Sequence, residues 1–168
     1  MKKLIVLVAS VFMLQACDDG DITLESFNFD TATIQNCTDN NLVFKINDKE
    51  LLLLSIPEGS FLNEETPDGS PRIINVGTTN QIIYRLYSGN VSSATICSTL
   101  PPASPVVEKE WNASGGTIEI ITDALYDVDG ITINGYTHNI KFKNVNFSNP
   151  DNSFSFTEYI FGNYETDL

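Results

Sequence analysis

The chain has 168 residues, 42% of them apolar, and carries 22 acidic side chains against 9 basic ones, a formal net charge of −13 at pH 7. That balance argues against nucleic-acid binding, which needs basic patches to neutralise phosphates, and against a domain lying flat on anionic lipid. An acidic surface of this kind serves solubility first.

Lys2 and Lys3 precede an apolar run over residues 4–14, broken only by Ser10. A membrane-spanning helix needs about twenty apolar residues, so this shorter run reads as the core of an export signal, with small Ala16 at its end. Leu14-Gln15-Ala16-Cys17 resembles the bacterial lipobox, L-x-[small]-C. The resemblance implies that the Cys17 thiol carries a diacylglyceryl thioether, that a dedicated peptidase cuts before Cys17, and that the freed amine is acylated, with palmitate as a usual chain. One acyl chain binds a bilayer marginally, whereas two or more anchor it stably. The expected organisation is a signal peptide over 1–16, a lipidated acidic tether over 17–21 and a single domain over 22–168.

Asp18, Asp19 and Asp21, directly after the cysteine, resemble the surface-export signal of Bacteroidota-type lipoproteins. In enteric-type bacteria an Asp at this place resembles an inner-membrane retention signal instead, which leaves a periplasm-facing location as the second reading. A composition rich in Asn, Thr, Ile and Phe and poor in Arg favours the first, an outer-membrane lipoprotein on the cell surface. Removing residues 1–16 takes away two lysines and no acid, so the remaining 152 residues hold 7 basic and 22 acidic side chains, a charge of −15. That length suffices for one domain burying roughly two thirds of its unfolded surface.

With Cys17 lipidated, Cys37 and Cys97 remain. Two cysteines in an exported domain pair most simply as one disulfide, and two separate buried thiols are the alternative. No C-x-x-C occurs, so neither a thioredoxin-like site nor a zinc ribbon is supported.

The rest reads as strands and turns. Residues 22–30 alternate, with Phe27 and Phe29 on one face, and 31–37 continue that strand or pair with it. Segments 42–46 and 50–56 flank Asn47-Asp48-Lys49 as a hairpin. Leu51-Leu52-Leu53-Leu54 reads as a buried strand, given that hairpin before it and Pro57 and Gly59 after it. Residues 57–80, rich in acid, Pro and Gly, form a long excursion.

Segments 81–88 and 91–97 flank Gly89-Asn90, and 106–113 and 117–124 flank Ser114-Gly115-Gly116; both turns suit hairpins because their residues tolerate positive φ. Between these pairs, STLPPASP at 98–105 should be extended and stiff. Long loops on a rigid scaffold are where binding usually resides. Strands at 131–134 and 136–147 follow the turn Asp127-Val128-Asp129-Gly130. Within the second, apolar parity slips after Phe142, which predicts a bulge or register change. Residues 152–164 close the chain, with Phe154 and Phe156 alternating. No helical periodicity is sustained, so helices should be absent or single-turn. The expected fold is all-β, an antiparallel β-sandwich (Ig-like or jelly-roll-like) of about eight to ten short strands.

Little marks a reaction centre. His138 is the only histidine, which rules out a multi-histidine metal site, and its strand-like setting reads as structural. Nucleophile-elbow, zincin, P-loop and dinucleotide motifs do not occur, and no cofactor is implied. Acid pairs suited to glycoside hydrolysis are inevitable among 22 acids. Asp123, Asp127 and Asp129 before Gly130 are the metal candidates, since calcium wants several oxygens around a tight turn; the run lacks the third acid and closing Glu of an EF-hand loop, and an Asp-rich hairpin turn is the plainer account. Trp111 reads as core filler. Asp30-Thr31-Ala32 resembles the D-[S/T]-[aliphatic or small] O-glycosylation site of exported Bacteroidota proteins, which would place a sugar on Thr31.

Gly116-Thr117-Ile118-Glu119-Ile120, Gly135-Tyr136-x-His138-x-Ile140-x-Phe142 and Phe161-Gly162-Asn163-Tyr164 also resemble small lipoproteins of the same bacterial group, a family with no assigned activity. The expected function is a non-catalytic, lipid-anchored module whose partner, besides the membrane, is a glycan or an envelope protein. A small envelope hydrolase built on His138 or an acid pair, and a periplasm-facing assembly factor, are the alternatives.

Overall fold

The computed structural model describes residues 27–168, so Cys17 and the acids Asp18, Asp19 and Asp21 lie outside the described residues. Nine strands follow in order: β1 (Ile34–Asn36), β2 (Leu42–Asn47), β3 (Glu50–Ser55), β4 (Arg72–Asn75), β5 (Gln81–Tyr87), β6 (Val107–Ala113), β7 (Thr117–Tyr126), β8 (Ile133–Ser148) and β9 (Ser153–Asp167), with one short helix, α1 (Ser93–Cys97), between β5 and β6. They form one antiparallel sheet in the order β1-β2-β3-β5-β6-β8-β7-β4, with β9 on the other edge of β8. The all-β, sandwich-like expectation holds. The two layers are halves of one curled sheet, β1-β2-β3-β5-β6 against β4-β7-β8-β9.

Alternation explains the core between the halves. Val43, Leu52, Leu54, Ile82 and Tyr84 point inward from the first half, and Ile118, Ile120, Ile140, Phe142, Val145 and Phe147 from the second, all buried in one cluster with Trp111. Outward-facing Phe44, Leu51, Leu53, Ile83 and Tyr87 would meet water, but the segment linking β5 to β6 folds over them and brings Val91, Ile96 and Cys97 into a second cluster. Strand β3 is therefore buried on both faces, which is why its sequence is an unbroken leucine run. The expected disulfide is present: Cys37, just after β1, is bonded to Cys97 at the end of α1 and ties this cover down.

The hairpin expected at Gly89-Asn90 does not form, because residues 91–97 are not a strand. In a strand, Ile96 and Cys97 would point to opposite faces. One helical turn lets both reach the outer face of the sheet, while the Val91 N–H donates to the carbonyl of Asp48. The 98–105 loop is bent rather than extended. Residues 27–30 also depart from the expected strand: Phe27 and Phe29 share a buried face as foreseen, but the backbone turns at once, with the Ala32 N–H donating to the Phe29 carbonyl. The long excursion after β3 holds two elements, a single 3-10 turn at Glu58–Ser60 and β4, which pairs with β7.

Ser114-Gly115-Gly116 makes a corner, not a hairpin. Ala113 opposes Phe147 and Thr117 opposes Lys143, so β6 and β7 run along β8 in one unbroken register. The chain thus passes from one half of the curled sheet to the other along a single partner strand, the way sheet corners are commonly made. The predicted slip after Phe142 is at Asn144, whose φ of 52° returns Val145 and Phe147 to the core side. Strand β9 keeps its register past Asn144 and shifts separately opposite Ile140 and Lys141.

Lys45 is the one buried lysine among the described residues. It points inward from β2, donates to the Phe29 carbonyl oxygen at 3.0 Å and lies 5.8 Å from the centre of the Phe161 ring. Burial pulls its pKa down, opposed by the charge of Asp30. The carbonyl and the ring face compensate part of the hydration it gives up.

Candidate functional site

A polar groove of about 300 Å³ opens where the β1–β2 loop meets the first turn after β3 and the end of β9. The loop is short and fixed at its base: the Cys37 N–H donates to the Leu42 carbonyl at 3.1 Å, and Asn40 Oδ1 accepts from the Leu42 N–H at 3.2 Å. The disulfide holds Cys37 from below. Thr38, Asp39 and Asn41 are thereby left exposed along one wall, and Glu58, Phe61 and Tyr164 form the other. Burial pushes the Tyr164 hydroxyl pKa up and the neighbouring Glu58 carboxylate adds to the shift, so the phenol stays neutral, able to donate and to accept.

The aromatic wall is rooted in a buried polar relay. Phe61 packs edge-on against Tyr164 at 4.9 Å and lies 5.4 Å from the His138 ring. His138 is fully buried on β8, directly opposite Thr122 of β7 and Tyr164 of β9. Arg72 donates to the Thr122 hydroxyl, which leaves that hydroxyl's own proton for His138 Nδ1 at 2.8 Å. His138 Nε2–H then donates to Thr166 Oγ1 at 3.0 Å, and Thr166 donates to Asn63 Oδ1 at 2.8 Å. A protonated ring would leave the Thr122 hydroxyl facing two donors with no acceptor for its own proton. Desolvation first, and the Arg72 charge second, hold the His138 pKa down at about 4.

The relay fixes the loop that carries Phe61. Thr66 exchanges hydrogen bonds with Thr122, its N–H donating to the Thr122 carbonyl at 3.0 Å and its hydroxyl accepting from the Thr122 N–H at 3.1 Å. Arg72 also donates to the carbonyls of Leu62 and Glu64. Through these bonds and its packing on Phe61, His138 braces one wall of the groove.

The other residues singled out in the sequence lie elsewhere. Trp111 is fully buried, with its indole N–H donating to Asn152 Oδ1 at 2.6 Å. Asp129 caps the β7–β8 turn, accepting from the Thr132 hydroxyl and from the N–H groups of Ile131 and Thr132, which lower its pKa to about 2. Asp127 Oδ1 accepts from the Val128 N–H in the same turn, and Asp123 stands exposed opposite Thr137. Among the described residues no group of three or more His, Cys, Asp or Glu is placed to hold a metal ion. Thr31 is exposed in a turn, where its hydroxyl is accessible.

A second hollow, of about 390 Å³, lies under the proline-rich loop between α1 and β6 and is mostly apolar, with Leu53, Tyr87, Ile96 and Val107 on its walls. Sequence reasoning pointed to residues 57–80 and so to Glu58 and Phe61, but it missed the β1–β2 loop. The signal was Thr38-Asp39-Asn40-Asn41, four polar residues immediately after a disulfide cysteine.

Comparison with known proteins yields no matching family model, no matching curated protein and no matching solved structure.

Proposed function

We propose that the chain is a lipid-anchored lipoprotein of the outer membrane that displays its β domain at the cell surface as a non-catalytic binding module. The observation that carries this reading is Cys17 directly after Leu14-Gln15-Ala16, followed at once by Asp18, Asp19 and Asp21. A disulfide suits a domain matured outside the cytoplasm. The groove offers hydroxyls, amides, carboxylates and aromatic rings for binding, and the only imidazole is buried with both nitrogens engaged by threonines.

The test is palmitate labelling of wild-type and Cys17→Ser cells, with protease treatment of intact cells expressing wild type or a chain with Asp18 and Asp19 replaced. Label that disappears with Cys17, and a domain digested in intact cells only when the acids are present, are the expected results. Label retained by Cys17→Ser would end the anchor. A domain protected until lysis would turn it toward the periplasm.

A further inference from the structure

Resting on the reading of the domain as a surface binding module, we infer that the groove between the β1–β2 loop, Glu58 and Tyr164 binds an uncharged saccharide. Its ligand class follows from what the walls can and cannot do. Thr38, Asp39, Asn41 and Glu58 line the groove, and among the described residues none of their side chains has a hydrogen-bond partner, which leaves these polar atoms to face a ligand. Two carboxylates on separate segments, each with acceptor sites for two hydroxyls, match the vicinal O–H pairs of a pyranose. Threonine hydroxyl and asparagine amide add donors for ring and hydroxyl oxygens. No Lys, Arg or His lines the groove, so a uronate, sulfated or phosphorylated ligand would meet two unpaired negative charges.

The aromatic side gives the second half of the argument. Sugar rings present a face of C–H groups, and half-buried Tyr164 and Phe61 add a small aromatic surface beside the carboxylates. The hollow lies at the small end of the range for ligand sites, about 300 to 1,000 Å³, which suits a terminal sugar unit rather than a long chain. Both walls are braced before any ligand arrives, one by the Cys37–Cys97 disulfide and the other by the His138 relay. Such bracing reduces the ordering that binding must impose.

The experiment is an NMR titration of the purified, lipidated protein in detergent with cellobiose, mannobiose and chitobiose, using a glucuronic-acid-containing disaccharide as control. At least one neutral disaccharide should shift the side-chain amides of Asn36 and Asn41 and the backbone of residues 38–41. Asp39→Asn and Tyr164→Ala should each weaken binding by about tenfold, the loss expected for one good contact, while Tyr126→Ala, on an exposed aromatic outside the groove, should not. Asp39 is exposed on a loop, so its variant keeps the test sound even where Tyr164→Ala loses its fold. Three results would overturn the site: no shift in the groove at millimolar sugar, shifts that survive both substitutions, or equal binding of the uronate. Because binding is read in detergent solution, its failure is distinct from failure of the anchor, which is read by label and protease on cells.

Discussion

Gly116, one residue before β7, lies against the backbone of Asn144 in β8, and both residues hold positive φ, 92° and 52°. A Cβ on Gly116 would come within 2.5 Å of the Lys143 carbonyl oxygen and 2.6 Å of that of Asn144, backbone atoms with no freedom to retreat. The strand that joins the two halves of the sheet turns here, so steric relief would require opening the corner. Gly116→Ala should destabilise the protein by at least about 2 kcal/mol in chemical denaturation. Gly115→Ala, whose Cβ would meet nothing within 4 Å, should be close to neutral. Equal stability of the two variants would show that the corner is not constrained.

His138 sets a pH dependence whose sign is fixed. Its folded pKa of about 4 lies below the value near 6.5 of an unperturbed imidazole. As pH falls, the unfolded chain takes up the proton first, so the stabilisation is complete above about pH 6.5, drains away toward pH 4 and is constant below that. The total is on the order of 3 kcal/mol, from about 1.4 kcal/mol per pKa unit. Acids elsewhere titrate in the same range, so the readout is the stability difference between wild type and His138→Gln at pH 7.5 and at pH 4. That difference should shrink markedly on acidification; a constant gap would mean that the ring is not held neutral.

Much of the fold was legible in the sequence because strand burial writes itself as period-two alternation. The parity slip after Phe142 predicted the break that the backbone makes at Asn144, and the four leucines of β3 announced a strand covered on both sides. Two local readings fail for one reason: sequence neighbours are not spatial partners there. Gly89-Asn90 and Ser114-Gly115-Gly116 look alike as turns, but one leads to a helix held by Cys97 and the other to a corner along β8. What decides between hairpin and corner is a partner strand some thirty residues downstream, which no local pattern encodes. The groove was half legible for the same reason. Glu58 and Phe61 belong to a loop that its composition flagged, whereas Asp39 and Tyr164 are brought to them only by the closure of the sheet.

The indole N–H of Trp111 donates to Asn152, in the turn between β8 and β9. Asn149 Oδ1 in turn accepts from the N–H groups of Asp151 and Asn152, which sets that turn. Asn152→Ala strands a donor on a fully buried ring and should lower stability by about 1 to 3 kcal/mol. Asn152→Asp keeps an acceptor in place and should lose less. A result in which both variants match wild type in urea titration would mean that water replaces the amide freely.

Reduction should separate the two apolar clusters. Cys37 and Cys97 close a loop of 60 residues, and cutting it releases about 4 kcal/mol of chain-entropy stabilisation in the loop-closure model. The main cluster does not depend on the bond, since none of its residues lies in the segment between β5 and β6. The second cluster does, because Val91, Ile96 and Cys97 are what shield Leu51 and Leu53 from water. In a Cys37→Ser/Cys97→Ser protein, hydrogen exchange should therefore accelerate first in residues 88–106 and in the β1–β2 loop, while β7, β8 and β9 stay protected. Saccharide binding at the groove should weaken in parallel, because the same bond holds the wall that carries Asp39. Uniform loss of protection across all nine strands would instead make the disulfide a global staple, with no independent layer over β3.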